Sequence, residues 1–489
     1  MPKKIFSNWL GGLTSYSERV GAEGTYAEAR DIDPYRNPGF IMPGWKESNK
    51  TSSAGGILTG LIKDAISDIG SNNMYALDDT KLYQLTNFGT TFTNNTTFPH
   101  TITGASRGEA LAIYPIGTTN YLFYFYQTNA GRFDLSSTFD DDWLSTIPIG
   151  ATTLQNASHP VLEWNSYLWI GNGRYVSKLD GQTGANGTFT EKALDLPQGW
   201  EITSLFPTRN YIGICAWRKM NAGESYRAQS AIFFWDGTSA DYNYQIPVED
   251  NKITTSFNDD GRIYLITTGR GFGCTLRRLT EEGDEPLKQL KTYVDGELKY
   301  FYVNYRNAID IFQNRLLIGA TSGLQNYIFA FGRPTMDYPE ILTQPYSTSN
   351  NPTSSGGIGV IKQLFSNFIF VSAYDDTYYY WMRFATGYST NALLKERYED
   401  AGQKIRINYV KFYFKPLVSG DSVTVSIDTD YGTSNSLGTI SYDSDGGTIT
   451  SKRFNKLILC HAFRPVIDWS DGGVAFSKIV VDYDFIGDL

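Results

Sequence analysis

Short apolar runs, each preceded by a polar turn residue, recur at regular intervals through the middle of the chain. Seven such runs follow Asn73, Asn120, Asn165, Asn210, Gly261, Asn314 and Asn367, at intervals of 45 to 53 residues. In the unit that begins at Val161, the strand VLEW precedes the marked run and the strand RYVSKL follows it. Units of this length with four short strands are typical of propeller blades, because one such sheet must stack on its neighbours to bury both faces. The pattern predicts an all-β protein with a seven-bladed β-propeller over residues 51–398.

The middle positions of the marked runs are predicted to lie in the core. They are Ile170, Ile214, Ile266, Ile318 and Val371. A β-sandwich or a solenoid with hairpins at similar intervals is the alternative architecture, since neither a WD nor a kelch signature accompanies the period.

The pattern changes after residue 398. The segment KIRINYVKFYFKPL alternates between apolar and polar positions, and GDSVTVSIDTDYG follows it between turn residues. Alternation with turns at this spacing is typical of a sandwich. We therefore expect a C-terminal β-sandwich over residues 399–489.

The first 50 residues lack the repeat and contain the segment ARDIDPYRNPGFIMPGW. Its three prolines, at positions 34, 38 and 43, remove backbone donors and favour an extended arm over a central strand. Four of its apolar side chains need burial, namely Phe40, Ile41, Met42 and Trp45. Four polar residues could supply contacts, namely Asp31, Asp33, Tyr35 and Arg36. We expect this arm to be an interface that docks between domains or between subunits.

The amino-acid composition favours β-structure and argues against several classes of function. Aromatic residues make up 15% of the chain, and 47 glycines accompany them, which favours strands and turns. The net charge is −9 and no run of Lys or Arg exceeds two residues, which argues against a nucleic-acid reader. No apolar run is long enough for a membrane span, and none resembles a signal peptide, so the mature chain is expected to be the whole chain. The three cysteines favour synthesis in a reducing cytoplasm.

Candidate catalytic residues are scattered or explained by turns. His100, His159 and His461 are far apart in the sequence, and the glycines of GRGFG (269–273) lack a following helix. The acidic clusters at 140–142, 259–260 and 375–376, and the Asp-rich segments at 428–430 and 443–445, adjoin turns where Asp bonds to the backbone. We expect no catalytic residues, no bound metal and no cofactor; calcium at the Asp-rich segments 428–430 and 443–445 is the alternative, because several oxygens that converge can bind it. A glycan-binding or glycan-cleaving propeller is the alternative, in which Trp164, Trp169, Trp217 and Trp235 stack on sugars instead of filling the space between blades.

Both ends of the chain carry a recognisable order of motifs. The first 45 residues contain Gly11-Gly12-Leu13, Glu28-Ala29, Asp31, Asp33 and Pro43-Gly44, and the last hundred contain the segment from Asp400 to Gly432 and the LGTI at 437–440. With the propeller between them, these motifs resemble β-propeller tail proteins of tailed bacteriophages. The resemblance implies a structural virion protein, a nozzle or tail-tip ring through which DNA is ejected or to which fibres attach. It also implies a cyclic homo-oligomer that contacts other virion tail proteins, such as a portal adaptor, fibres or a neighbouring ring.

Overall fold

A computed structural model gives the fold, which is almost entirely β-strand. It describes residues 2–7, 9, 12–13, 25–36, 40–44, 47–68, 70–86, 89–146, 153–183, 186–218, 228–269, 273–294, 297–333, 340–347, 356–364, 368–384, 389 and 392–486. The N-terminal strands are β1 (Lys3–Ser7), β2 (Gly12–Leu13), β3 (Thr25–Tyr26), β4 (Glu28–Arg30) and β5 (Glu47–Ser52). A 3₁₀ turn (Ser53–Gly55) follows β5.

Seven antiparallel sheets form the blades, and the strands of the first three are as follows. Blade 1 has β6 (Asp64–Asp68), β7 (Asn73–Leu77), β8 (Lys81–Thr86), β9 (Thr91–Phe92) and β10 (His100–Thr101). Blade 2 has β11 (Gly108–Ile116), β12 (Thr119–Tyr126), β13 (Asn129–Phe133) and β14 (Phe139–Asp140), followed by helix α1 (Trp143–Thr146). Blade 3 has β15 (Val161–Trp164), β16 (Tyr167–Asn172), β17 (Tyr175–Asp180) and β18 (Thr188–Asp195).

The remaining four blades continue the same order. Blade 4 has β19 (Glu201–Pro207), β20 (Ile212–Arg218), β21 (Gln229–Trp235) and β22 (Tyr244–Val248). Blade 5 has β23 (Lys252–Asp259), β24 (Arg262–Thr268), β25 (Cys274–Thr280) and β26 (Gly283–Gln289), followed by the hairpin β27 (Lys291–Val294) and β28 (Glu297–Tyr300). Blade 6 has β29 (Ile309–Phe312), β30 (Arg315–Thr321), β31 (Asn326–Gly332) and β32 (Ile341–Ser347). Blade 7 has β33 (Gly357–Leu364), β34 (Phe368–Tyr374) and β35 (Tyr379–Phe384), with β5 as its fourth strand.

The first strands of the blades contact one another in a closed order around one axis, and β33 of blade 7 returns to β6 of blade 1. The outer strand of blade 7 comes from the N-terminus, since β5 pairs antiparallel with β35 from Ser52 opposite Tyr380 to Glu47 opposite Phe384. One sheet thus holds both ends of the propeller chain. The predicted all-β class and the seven-bladed propeller are confirmed, and the propeller takes its closing strand from residues 47–52.

The C-terminal strands are β36 (Ala392–Lys395), β37 (Glu399–Phe414), β38 (Ser422–Thr429), β39 (Thr433–Ser441), β40 (Ser451–Asp471) and β41 (Phe476–Phe485), with helix α2 (Tyr442–Asp445) between β39 and β40. They form one curled sheet with β1 and β4. The long strand β40 pairs with β37 through its first half and with β38 through its second half. The sheet therefore folds over along β40, and its two layers enclose Phe412, Val425 and Ile479. A sandwich of two separate sheets was predicted. The structure instead has one curled sheet whose layers share strand β40.

The core confirms the predicted buried positions. Ile170, Ile214, Ile266, Ile318 and Val371 have no exposed surface. One continuous apolar cluster runs from blades 5, 6 and 7 into the C-terminal sheet and includes Ile32 and Ile41 of the N-terminal segment. The predicted boundaries at residues 50 and 398 are thus crossed by a shared core and by shared sheets.

Candidate functional site

The first strands of all seven blades converge on the propeller axis, which makes the axis a candidate site. Two cavities of about 140 Å³ each lie along it. Their walls include Lys63, Glu109, Glu201, Lys252, Tyr305, Arg306 and Lys362. Since a water molecule occupies about 30 Å³ of liquid, each cavity has room for a few waters or one small polar group.

Arg306 crosses this axis. It precedes β29 of blade 6, yet its guanidinium lies 2.6 Å from the Ser158 hydroxyl and 3.1 Å from the His159 carbonyl oxygen, next to blades 2 and 3. It also donates to the Glu109 carbonyl oxygen and lies 3.4 Å from the Glu109 carboxylate. Its own carbonyl oxygen accepts a hydrogen bond from Thr255 of blade 5 at 2.7 Å. The Arg306 side chain therefore connects blade 6 with blades 2 and 3 across the ring. It occupies the space along the propeller axis between them.

The adjacent Asn307 extends the same connection to blades 1 and 7. Its side-chain amide donates to the Lys63 carbonyl oxygen at 2.9 Å, and its carbonyl oxygen accepts from the backbone of Ile361 at 2.9 Å. Arg306 and Asn307 were not predicted from the sequence. The polar segment NYRN (304–307) between two strands could have indicated them, but an ordinary linker between blades has the same composition.

Carboxylates near the axis are used as links between blades. Asp64 accepts hydrogen bonds from the backbone of Leu111 in the next blade and of Ala65, at 2.8 and 2.9 Å. Asp310 accepts in the same way from Gln363 in the next blade at 2.7 Å. Burial raises the pKa of both carboxyls, against the opposing effect of Lys362. Both groups thus pair with neighbouring backbone and link adjacent blades.

We expect Arg306→Met to lower the free energy of unfolding by about 2 kcal/mol, because charge-assisted hydrogen bonds are lost and the Glu109 carboxylate loses a partner. Urea denaturation followed by tryptophan fluorescence measures the change. Arg209→Met is the control, since Arg209 is an exposed arginine in the turn between two strands of blade 4. Equal stability of the two variants would contradict a connecting role for Arg306.

The acidic clusters have structural partners. Asp141 accepts from His100, Tyr124 and the backbone of Thr103, and these bonds lower its pKa to about 2 although burial opposes them. Asp375 accepts from the backbone N–H of Tyr378 and the hydroxyl of Tyr380, and Asp260 adopts the left-handed backbone of a turn.

The Asp-rich segments of the C-terminal sheet also have partners. Asp430 accepts from two backbone N–H groups of β40, Asp428 pairs with Arg464, and Asp445 pairs with Lys452. Within the described residues, no group of three or more His, Cys, Asp or Glu could hold a metal ion.

The remaining candidates from the sequence are distributed through the fold. His159 is buried, with its two ring nitrogens 2.9 and 2.8 Å from the carbonyl oxygens of Gly171 and Gln127. His461 is exposed, and Cys215, Cys274 and Cys460 are buried free thiols. Residues 270–272 of the GRGFG segment lie outside the described residues. Of the helices in the described parts of the chain, none has the length and apolar character of a membrane span.

Three of the four tryptophans predicted as alternative sugar platforms pack between blades 3 and 4. Trp169 and Trp235 are buried and meet edge to face at a centroid distance of 5.2 Å. The indole N–H of Trp164 donates to the Thr208 carbonyl oxygen in the next blade at 3.1 Å. Trp217 is partly exposed, with the Lys252 ammonium 4.7 Å from its ring. Packing between blades thus accounts for three of the four side chains that were considered as sugar platforms.

The predicted arm residues lie in a seam between blade 6 and the C-terminal sheet. Asp33 forms an ion pair with Arg315 of β30 at 2.7 Å, and their side chains are only 1% and 3% exposed. The guanidinium of Arg315 also lies 4.7 Å from the centre of the Tyr35 ring, and the Tyr35 hydroxyl lies 2.9 Å from the Ile341 carbonyl oxygen. Asp33 and Tyr35 therefore bind the N-terminal segment to blade 6.

Asp31 shapes the same segment. It has a φ of +56°, its carboxylate accepts from the Ser389 hydroxyl at 2.9 Å, and its carbonyl oxygen accepts from the backbone of Gly44 at 2.6 Å. Ile41 has no exposed surface and forms two backbone hydrogen bonds with Phe476 of the C-terminal sheet.

The other arm residues have varied surroundings. Met42 is buried, Arg36 is half-buried, and the half-buried Phe40 ring lies 4.4 Å from the Lys415 ammonium. Trp45 lies outside the described residues. In this single chain the seam thus joins parts of one subunit.

Gly44→Ala is expected to lower the free energy of unfolding by about 2 kcal/mol through overpacking. A Cβ atom at this position would lie 1.9 Å from the Pro345 carbonyl oxygen, so backbone must move. Thermal denaturation measures the effect. Gly55→Ala is the control, because a Cβ there would meet nothing within 4 Å. A Gly44→Ala protein as stable as this control would contradict the packing of the seam.

Comparisons with known proteins identify no family. No family model and no curated protein match the chain. Among solved structures, Raptor of Chaetomium thermophilum is 12% identical, with a TM-score of 0.45 and coverage of 71% of this chain and 30% of Raptor. The extracellular domain of the putative hybrid two component system BT3049 from B. thetaiotaomicron is 13% identical, with a TM-score of 0.45 and coverage of 80% and 47%. An exo-β-1,3-galactanase from Phanerochaete chrysosporium is 13% identical, with a TM-score of 0.30 and coverage of 68% and 97%.

Proposed function

We propose that this protein is a structural component of a bacteriophage tail, made in the host cytoplasm and built into the virion as a ring-forming nozzle or tail tip. The observation that carries the proposal is the location of the motifs that resemble phage tail proteins. Gly12 and Gly44 lie where the N-terminal segment meets β32 of blade 6, and Asp31 bonds Gly44 and the Ser389 hydroxyl. A Cβ on Gly12 would lie 2.7 Å from the Leu342 carbonyl oxygen, so this contact also requires glycine. The N-terminal part of the resemblance thus falls on residues that hold this segment against the propeller.

The chemistry near the axis favours an assembly role over catalysis. Asp64 and Asp310 bond to backbone and Glu109 pairs with Arg306. Arg306 fills the space where a substrate would approach several blades at once. In this proposal the protein is not an enzyme and takes no cofactor.

The filled axis also determines where DNA would travel. Cavities of about 140 Å³ interrupted by Arg306 cannot admit a duplex, so DNA would pass through the opening enclosed by several copies of the chain. A net charge of −9 suits such an opening, because a negative wall avoids the attraction that basic surfaces exert on phosphates. Partners in this arrangement are further copies of the chain, a portal adaptor, fibres or a neighbouring ring.

Location in purified particles tests the proposal. An antibody against the purified protein should label the tails of gradient-purified virions in electron micrographs, and the position of the label separates a nozzle from a tip. A nonsense mutation in the gene should give particles that contain DNA but do not infect. Absence of the chain from purified virions, or normal infection by particles without it, would overturn the proposal.

Glycan binding is the second candidate, favoured by the polar lining of the axial cavity around Tyr305 with Asn304, Glu201 and Lys252. An aromatic ring among convergent polar groups is the usual composition of a sugar subsite. Titration with oligosaccharides prepared from host surface glycans, followed by calorimetry, tests it. Saturable binding that Tyr305→Ala abolishes, in a protein absent from virions, would favour this function over the first.

A further inference from the structure

Asparagine is followed by glycine at two places in the sequence, Asn172-Gly173 and Asn186-Gly187. Such a pair is chemically labile, because the backbone nitrogen of a glycine, unshielded by a Cβ atom, can attack the carboxamide carbon of the preceding side chain. Both pairs belong to blade 3, the first at the end of β16 and the second directly before β18. The fold therefore places one reactive sequence in two different surroundings.

The first pair is protected by its surroundings. Asn172 has no exposed surface. Its side-chain oxygen accepts a hydrogen bond from the backbone of Gln155 at 2.6 Å, and its side-chain nitrogen donates to the Ser177 hydroxyl at 3.3 Å. The carboxamide would have to break both hydrogen bonds before its carbon could turn toward the Gly173 nitrogen.

The second pair is more accessible. Asn186 is half-buried, and its side-chain oxygen accepts a hydrogen bond at 3.3 Å from the guanidinium of Arg132 in blade 2. Among the described residues, no other group bonds to this carboxamide, and none accepts from the backbone N–H of Gly187. The attacking nitrogen and the carbon that it attacks are thus both available.

The geometry keeps glycine at position 187. Gly187 has a φ of +77°, and a Cβ atom there would lie 3.0 Å from a methyl group of Leu179. The hydrogen bond from Arg132 also favours attack on Asn186, because a charged donor stabilises the negative charge that develops on the carboxamide oxygen. Fold and electrostatics therefore both favour reaction at this pair.

The surroundings of Arg132 suit a carboxylate at position 186. Its ion pair with Asp140 is long, at 3.7 Å, and its Nη1 atom is buried without a hydrogen-bond partner in the described parts of the chain. The guanidinium lies 4.9 Å from the centre of the Tyr121 ring, which holds it beside blade 3. A carboxylate that replaced the carboxamide would form a stronger, charge-assisted bond with this cation.

We propose that Asn186 deamidates spontaneously in the folded protein and that the new carboxylate pairs with Arg132. The Gly187 nitrogen loses its proton and forms a bond to the carboxamide carbon, and the side-chain nitrogen leaves as ammonia. Water then opens the cyclic imide at one of its two carbonyl carbons, which leaves aspartate or isoaspartate at position 186. The net reaction consumes one water and releases one ammonia. A neutral contact between blades 2 and 3 becomes an ion pair.

Peptide mapping by mass spectrometry tests this on the purified full chain after incubation in mildly alkaline buffer. Asn186 should convert, and Asn172 should convert about 30-fold more slowly, the combined effect of its two hydrogen bonds. In urea the two should convert at similar rates. Arg132→Met should slow the reaction of the folded chain about tenfold, the effect of one charge-assisted hydrogen bond. Arg174→Met is the matched control, because Arg174 belongs to blade 3 but pairs with Asp195.

The variant Asn186→Asp tests the second half of the proposal. It should unfold at a higher urea concentration than the unreacted wild type, and Arg132→Met should remove this difference. Equal conversion of the two asparagines in the folded chain, or no conversion of Asn186 while the unfolded chain reacts, would overturn the modification site. An unchanged rate in Arg132→Met, with no gain in stability for Asn186→Asp, would overturn the role of Arg132. The purified chain suffices for every measurement, so failure here leaves the tail proposal unaffected.

Discussion

Replacing Arg315 by alanine is expected to lower the free energy of unfolding by about 3–5 kcal/mol, the usual cost of leaving one charge of a buried ion pair without its partner. The Asp33 carboxylate, 1% exposed, would remain in the seam with its nearest cation removed. The contact between Arg315 and the Tyr35 ring would also be lost. Chemical denaturation at neutral pH measures the change.

Two further variants make this result specific. Arg262 begins β24 as Arg315 begins β30, but it is exposed, so Arg262→Ala should change stability by less than about 0.5 kcal/mol. The double variant Asp33→Leu with Arg315→Met should recover most of the loss, because apolar pairs of similar volume often replace buried ion pairs without cost. An Arg315→Ala protein as stable as Arg262→Ala would show that the arm does not depend on this pair.

The stability of the fold is expected to decrease by about 3 kcal/mol between pH 4.5 and pH 8 through Glu396 alone. Burial raises the pKa of this carboxyl to about 7, although the Trp9 indole N–H that donates to it, Arg397 and Lys4 act in the opposite direction. The folded chain therefore keeps the proton to a higher pH than the unfolded chain does. Its stabilising contribution is complete below about pH 4.5 and is lost as the pH rises through 7.

Glu396→Gln isolates this contribution, because glutamine resembles the protonated carboxyl and its oxygen can still accept from Trp9. The variant should match the wild type at pH 4.5 and exceed its free energy of unfolding by about 3 kcal/mol at pH 8. Urea denaturation at both values measures the difference, with Glu163→Gln on an exposed position of β15 as the control. Parallel pH profiles for wild type and Glu396→Gln would contradict the prediction.

The blades were predictable because their signal is local. Several residues that marked the period adopt left-handed backbone in hairpin turns, with φ of +50° at Asn165, +89° at Gly261 and +60° at Asn314. Asn and Gly are favoured there because other residues meet steric strain. The apolar run after each turn is then the second strand of a blade, buried between two neighbouring sheets. The turn residue and the buried strand that it precedes lie within about ten residues of each other. A local sequence pattern covers that distance, so both could be predicted.

The connections between distant segments were not predictable in the same way. Strand β5 has the sequence ESNKTS, which contains no large apolar residue, so its place beside β35 depends on a long-range pairing that the local pattern does not record. The role of Arg306 depends on the ring geometry, which brings blade 6 opposite blades 2 and 3. The burial of Ile41 was expected from its apolar character, whereas the pairing of Asp33 with Arg315 required the fold.

The outer strand of blade 7 has a consequence for synthesis. Residues 47–52 leave the ribosome more than 300 residues before β35. At translation rates of about 5–20 residues per second, this strand waits roughly 15 to 70 seconds for its partner. Until then blade 7 is absent and blades 1 and 6 each keep an unprotected face. A nascent chain released before residue 379 would lack the strand that β5 pairs with, so closure of the ring requires translation at least through β35.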